Sequence, residues 1–371
     1  MKIAIVHWIV NDVGGINSWT ENFIIGLRRL GHECQLYYGS HQRQLGCSPD
    51  HKVPRSRRWH LLPAKLLSYH PVLLASSIRT LNTYDLIVFA HPSPHPTKGN
   101  TEIDSPKGWQ AFYRNTKPFK ISVFHDRHWD RTNAWIAEVR DCVGYAHAAQ
   151  HHFVNAVAKF TEDKIPFGWS LFPLLIPETL PPKEKIRRFV LATQWLALKN
   201  HRFLIPHLNS LKFPLHSYGS GQTYHKLLPE MKRVYREDHH QDKVAIYNPK
   251  SSHIHWGHCE YRQMLNAMKR AWFSLDMSIQ GMTNMTHWEP MTVGTLSVME
   301  RRVIEDEFCE IPEDCCISFS IDDVVEELNK IGKTSTSILL KIQQKAWKMI
   351  QKCNCQTIAK QILTQAGVSK L

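Results

Sequence analysis

The apolar positions of this chain fall into short unbroken runs separated by stretches with helical spacing. Residues 2–8, KIAIVHW, are apolar without alternation, and Ile16 to Leu30 then repeats apolar residues at three- and four-residue intervals up to Gly31, a residue type that closes helices. Further runs are ECQLYY (33–38), DLIVFA (85–90) and FKISVFH (119–125). The second half repeats the scheme with FVLAT (189–193), KFPLHSY (212–218), VAIYN (244–248), WFSLDM (272–277) and TLSVM (295–299), with helices between them. Strands that read as continuous apolar runs are those covered on both faces, so the pattern predicts parallel sheets sandwiched by helices. Two successive α/β halves predict two doubly wound, Rossmann-like domains facing each other across a cleft. Residues 173–185, PLLIPETLPPKEK, hold four prolines and break both periodicities, which places the boundary there. The expected domains are 1–175 and 176–350, with 351–371 as a C-terminal helix packing back on the first.

Composition agrees with this plan. The 371 residues are 43% hydrophobic and 21% charged with mean hydropathy −0.35, enough to build two cores. No run approaches the ~20 apolar residues of a membrane span. The opening MKIAIVHWIVNDVGG reads as a buried first strand rather than a signal peptide, and nine cysteines, an odd number, fit reduced thiols in a cytoplasm. The cluster His253, His255, His258 and Cys259 in HIHWGHC lacks the second ligand pair of a zinc site and reads as a polar loop. No metal site is expected.

Charge adds a partner class. The net charge is +13, and residues 43–131 carry 14 basic against 6 acidic residues while residues 1–42 balance at three of each. A field concentrated this way suits a polyanion, either nucleic acid or an anionic membrane surface.

Several positions at predicted strand ends carry candidate chemistry. In NDVGGIN (11–17), Gly14 and Gly15 lie between the first strand and the first helix, where backbone can approach a ligand closely and helix N-terminal amides favour phosphate. A tight strand-to-helix turn with no ligand would look the same. In SVFHDRHWDR (122–131), His125 and Asp126 follow the carboxyl end of a strand, the edge that borders the ligand crevice in open α/β sheets. A carboxylate beside an imidazole can deprotonate or orient a hydroxyl, although Asp126 could instead pair with Arg127 or Arg131. Lys199, in ATQWLALKNHRFLI (192–205), follows the first strand of the second half, where an ammonium can neutralise a diphosphate. In TNMTHWEPMTVGTLSVM (283–299), Glu289 sits early in a helix, suited to accept hydrogen bonds from a ribose diol, and the Gly294-Thr295 turn leads into the next strand.

The Gly-Gly bend, the lysine of the second half and a glutamate followed five residues later by Gly-Thr resemble the pattern of GT-B fold, retaining, nucleotide-sugar glycosyltransferases. Within that group the sequence looks most like the α-glucosyltransferases of T-even phages, which glucosylate 5-hydroxymethylcytosine in DNA. The matches are Thr286-His287-x-Glu289-x4-Gly294-Thr295, His125-Asp126 after an apolar strand, and Gly15-Ile16 opening a helix that carries Trp19. The resemblance implies that Gly14 and Gly15 pack against the donor sugar and diphosphate. It further implies that Lys199 binds the diphosphate, Glu289 the ribose, and His125 or Asp126 the reacting sugar or acceptor hydroxyl. Two positions depart from the family. Gln194 stands where an arginine usually precedes the lysine by five, and Gly281 stands where many relatives carry a second glutamate.

The function so implied is a hexosyltransferase that moves a sugar, expected to be glucose, from a UDP-sugar to a hydroxymethylated pyrimidine in duplex DNA. No essential metal is expected, because in the implied fold fixed dipoles hold the charge on the departing nucleotide, and the lack of a D-x-D motif at a strand end is consistent with that; Mg2+ would at most assist product release. Gln194, Gly294 and Thr295 complete the expected donor site. A base to be modified must leave the stack, and KVPRSRRWHLLPAK (52–65) offers Arg55, Arg57 and Arg58 to phosphates and Trp59 as a wedge or stacking face. Stable membrane association is not expected. Two rivals remain. A bacterial GT-B enzyme of surface polysaccharide or glycolipid synthesis would use a basic, partly apolar face such as LLPAKLLSYHPVLLASSIRTL (61–81) on anionic lipid. A non-catalytic nucleic-acid-binding protein would use the same shell without turnover.

If Arg55, Arg57 and Arg58 each neutralise a phosphate, log affinity for DNA falls with log salt at a slope of about −0.9 per contact. The triple alanine variant is then expected to bind DNA more weakly with a shallower slope, measured by fluorescence anisotropy across a salt series. Unchanged binding and slope would remove these residues from the interface.

Overall fold

The computed structural model describes residues 1–7, 15–39, 64–67, 71–90, 115–124, 145–148, 167–169, 171–193, 199–219, 246–247, 253–256, 261–278, 285–305 and 309–368. They form two compact units. The first comprises Met1–Pro173 with Cys353–Leu371, and the second Leu174–Lys352.

The first unit is built on a seven-stranded sheet: β1 (Lys2–Val6), β2 (Glu33–Gly39), β3 (Ala64–Leu67), β4 (Leu86–Phe89), β5 (Phe119–Phe124), β6 (Tyr145–Ala148) and β7 (Phe167–Trp169). Its order is β3-β2-β1-β4-β5-β6-β7, and every pairing is parallel. The central runs IAIV of β1 and LIVF of β4 are wholly buried, as strands covered on both faces must be. Helix α1 (Gly15–Arg29) follows β1 and α2 (Pro71–Leu81) follows β3. Trp19 and Phe23, one turn apart on α1, are both fully buried and stack at 4.6 Å.

The second unit repeats the plan with β8 (Ile186–Ala192), β9 (Leu215–Tyr218), β10 (Ile246–Tyr247), β11 (His253–His255), β12 (Ala271–Asp276), β13 (Leu296–Glu300) and β14 (Ile317–Phe319). The order is β10-β11-β9-β8-β12-β13-β14, parallel throughout except for the antiparallel β10–β11 pair at one edge. Among the described residues, helices α3 (Tyr261–Lys269), α4 (Met285–Thr292), α5 (Arg301–Ile304), α6 (Val324–Gly332) and α7 (Thr336–Ile350) belong to it. Phe189 of β8 and Phe273 of β12 stack at 4.9 Å within a core that also holds Leu191, Leu275, Leu296 and Val298. Each such side chain contributes about 1.5–3 kcal/mol by leaving water.

The polypeptide then returns to the first unit. Helix α8 (Cys355–Gln365) is capped by Asn354, whose side chain accepts from the Gln356 amide at 3.0 Å, and it packs against α1. The two helices meet at Gly26. A methyl group there would lie 2.2 Å from the Cys355 carbonyl oxygen, so only hydrogen fits. No helix among the described residues is long and apolar enough to cross a membrane.

One sequence expectation changes here. HIHWGHC does not begin as a polar loop: its first three residues are β11, and His253 is buried with Nε2 2.8 Å from Ser217 Oγ on β9. Neutral imidazoles satisfied this way line sheet interiors, and burial pushes the His253 pKa down to about 4. His258 and Cys259 lie outside the described residues, among which no group of three or more His, Cys, Asp or Glu could hold a metal. The stretch 61–81, which the rival lipid-facing reading draws on, contains β3 and α2, with Leu67 and Leu81 buried and Lys65 and Arg79 exposed; residues 61–63 and 68–70 lie outside the described residues.

Gly26→Ala is expected to destabilise the first unit by about 1–3 kcal/mol, because overpacking against backbone exceeds the ~1 kcal/mol gained in helix propensity. Urea unfolding followed by Trp fluorescence should show the first transition at lower denaturant than in the wild type.

Candidate functional site

In a doubly wound sheet, ligands bind beyond the carboxyl ends of the strands, where the strand order reverses. In the second unit that switch point lies between β8 and β12. Lys199 comes from the segment after β8, and Asp276 is the last residue of β12. Their charged groups are 3.8 Å apart, with the lysine side chain 15% exposed and the carboxylate 2%. A single ion pair therefore bridges the two strand ends that define the crevice.

The surroundings fix both partners. Lys199 Nζ donates to Ser278 Oγ at 2.9 Å, while the Ser278 backbone amide (2.8 Å) and hydroxyl both donate to Asp276 Oδ1. Thr286, in the first turn of α4, donates its hydroxyl to Oδ2, and His287 Nε2 lies 3.6 Å from the same oxygen. Asn200 adopts a left-handed backbone (φ 55°), and its side-chain amide reaches the Met277 carbonyl at 3.3 Å, anchoring the lysine's neighbour to the end of β12. His201 Nε2 is 3.4 Å from Thr193 Oγ1 at the end of β8.

Electrostatics make Asp276 the fixed point. Burial pushes its carboxyl upward, but the Lys199 ammonium and then His287 and the Ser278 and Thr286 hydroxyls more than reverse this, holding it well below the usual carboxylate range. Burial pushes His287 down to about 4 against the pull of Asp276, so its ring is neutral near pH 7. Lys199 is then the cation that balances the carboxylate.

Glu289 lies one turn beyond Thr286 on α4, a spacing that puts the two on one helix face. It is 6% exposed, and every residue of α4 except Thr286 is buried. The structure thus brings Lys199 and the Glu289 helix together through Asp276.

Gly294 and Thr295 are placed elsewhere. Gly294 (φ 71°) and Thr295 close α4 with the paired bonds Gly294 N to Met291 O (3.0 Å) and Thr295 N to Pro290 O (3.0 Å), a Schellman cap. Thr295 is fully buried and donates its hydroxyl to the carbonyls of Met268, near the end of α3, and Ala271, at the start of β12. Lys185 joins the same corner, donating to the carbonyls of Lys269 at 2.6 Å and Val293 at 3.0 Å. Four residues separate the Thr295 level from Asp276 along the parallel strands, about 13 Å. These two residues shape the fold at the amino edge of the sheet and do not join Lys199, contrary to the sequence reading.

In the first unit the switch point lies between β1 and β4. β1 ends at Val6 and β5 at Phe124, both at the carboxyl edge of the parallel sheet. Gly15 is the first residue of α1, and behind it Ser18, Thr20, Glu21 and Asn22 are buried, Asn22 donating to the Pro173 carbonyl at 2.9 Å. Gly14, His125, Asp126, Gln194, Arg55, Arg57, Arg58 and Trp59 lie outside the described residues.

Asp276 and Ser278 were not singled out from the sequence, and Thr286 entered only as part of the family pattern. The available signal was a lone carboxylate closing the apolar run WFSLD, at the strand edge where ligands bind.

No protein-family model matches this chain, and no curated protein matches its sequence. Solved structures do match. An alpha-glucosyltransferase in complex with UDP and a 13-mer DNA containing a HMU base aligns with TM-score 0.75 and 12% identity over 99% of both chains. An alpha-glucosyltransferase in complex with UDP-glucose and DNA containing an abasic site aligns with TM-score 0.74 at 12% identity, again over 99% of both. Anabaena HepE in complex with UDP-glucose aligns over 100% of both chains with TM-score 0.69 and 12% identity. The fold is therefore GT-B, with two Rossmann-like domains.

Because the Asp276 pKa is depressed in the folded state, its contribution to stability is present above its ordinary value of 3.8 and is lost as pH falls through and below it. Asp276→Asn is accordingly expected to be less stable than wild type near pH 7, with the gap narrowing below about pH 4. Urea midpoints across that range check this; a gap constant with pH would show that the carboxylate charge is not what stabilises the site.

Proposed function

We propose that this protein is a UDP-sugar-dependent glycosyltransferase that moves glucose from UDP-glucose to a hydroxymethylated pyrimidine in double-stranded DNA. The observation that carries the reading is the Lys199–Asp276 pair set at the switch point of the second Rossmann-like unit. Support comes from the likeness over nearly the whole chain to alpha-glucosyltransferases bound to UDP and HMU-containing DNA, and from the basic excess in residues 43–131.

On this reading the bond between the sugar anomeric carbon and the diphosphate oxygen breaks, and one to the hydroxymethyl oxygen forms. Negative charge grows on the departing UDP. The Lys199 ammonium, already held in place, stabilises it without reorganising, and the amides at the start of α1 beside Gly14 and Gly15 add fixed positive dipoles. Glu289 accepts from the ribose hydroxyls. His125 and Asp126, which follow β5, take the proton released by the acceptor hydroxyl. Retention of anomeric configuration is implied by the family pattern. Gln194, in place of the usual arginine, leaves Lys199 as the charged donor of this segment.

A second reading keeps the donor and changes the acceptor to a surface polysaccharide or glycolipid; the likeness to HepE bound to UDP-glucose bears on the donor, which both readings share. Incubation with radiolabelled UDP-glucose and either 5-hydroxymethylcytosine DNA, unmodified DNA or anionic vesicles separates the two. Label transfer to the hydroxymethylated DNA alone is expected; transfer to lipid, or none to any acceptor, overturns the DNA reading. Asp126→Asn should lower transfer by at least about 100-fold, the usual scale of general-base loss, while UDP binding is retained. Full activity in that variant would clear Asp126 of a catalytic role.

A further inference from the structure

Asp276 is engaged by three separate segments. Lys199 reaches it from beyond β8, Ser278 from the end of β12, and Thr286 from the first turn of the helix that carries Glu289. A carboxylate 2% exposed that accepts from an amide and a hydroxyl on Oδ1 and from a second hydroxyl on Oδ2, with an ammonium paired to it, is held in one position, and its partners are held by it. Ser278 links the pair a second time, since its hydroxyl contacts both Lys199 Nζ and Asp276 Oδ1.

We infer that Asp276 is the positioning residue of the donor site: by fixing Lys199 and the first turn of α4 to one buried oxygen pair, it sets the diphosphate donor and the ribose acceptor in register before the nucleotide arrives. This rests on the donor-site reading above. The alternative role for a carboxylate beside a phosphate-binding lysine is to mask its charge, and that role has the opposite sign. A mask weakens UDP binding, so removing it tightens binding; an anchor strengthens binding by preorganisation, so removing it loosens the complex.

The test is a double-mutant cycle on the full chain with Asp276→Asn, Lys199→Ala and the double variant, titrated with UDP by calorimetry. Asp276→Asn should weaken UDP binding by about tenfold or more in the wild-type background, the scale of one lost charge-assisted contact. Its further effect should be clearly smaller once Lys199 is alanine, leaving only the part that acts through Thr286 and α4. In turnover it should raise KM for UDP-glucose with kcat less affected and leave DNA affinity unchanged. Equal losses in both backgrounds, unchanged binding or tighter binding each overturn the proposal. Should Asp276→Asn fail to fold, Ser278→Ala and Thr286→Val keep the ion pair and remove one hydroxyl each. Both are expected to weaken UDP binding in the same direction, and wild-type affinity in both overturns the proposal. A wild-type protein that binds no UDP defeats the donor reading itself and the inference with it; UDP binding that ignores Asp276 defeats only the inference.

Discussion

A carboxylate sealed from water must keep a cation beside it or give up its charge, and Asp276 keeps Lys199. The second unit is arranged to meet that requirement. The strand that ends in Asp276 and the strand that feeds Lys199 are neighbours only because the order reverses between β8 and β12, the one place in the sheet where successive crossovers run to opposite sides. The topology thus brings a buried charge pair to the rim where a ligand can reach the partly exposed lysine. Neutral His287 adds polarity without a competing charge. The rest of the neighbourhood supplies hydrogen bonds that keep both ions still.

The same parallel topology explains why so much of the scaffold is apolar on every side. β1, β4, β12 and β13 are buried along nearly all their length because helices cover both sheet faces. Even α4 is buried around almost its whole circumference. A helix of eight residues that contains Pro290 has little stability of its own, so its position depends on packing, on the Asp276 contact at its start and on the Gly294 cap at its end. Gly294 tolerates no side chain for a second reason: a methyl group would meet Pro181 and Gln343.

This logic also shows what was readable from the sequence. Central strands were legible because burial on both faces leaves unbroken runs such as IAIV and LIVF. β3, β6, β7, β11 and β14 were not, being three or four residues long and lying at or near sheet edges, where polar residues such as His147 and His253 interrupt the run. The lysine of the site was legible by its place after a strand, but its carboxylate partner was not, because pairing depends on two residues 77 positions apart meeting where the strand order reverses. Gly294-Thr295 misled for a simple reason. A glycine after a helix signals either close approach of a ligand or an ordinary left-handed cap, and only the bonds from Gly294 and Thr295 back into α4 tell them apart.

The return of α8 to the first unit has a bearing on biosynthesis. α1 emerges from the ribosome early, yet the surface around Gly26 waits for Cys355 and its neighbours; Arg29 and Cys355, in contact at 3.9 Å, are 326 positions apart. The second unit, continuous in sequence, can close its core while the first still shows an uncovered apolar helix. Nascent chains stalled before α8 would carry one finished half and one adhesive half, and their passage to the native state would lean on chaperones until translation had delivered the missing helix.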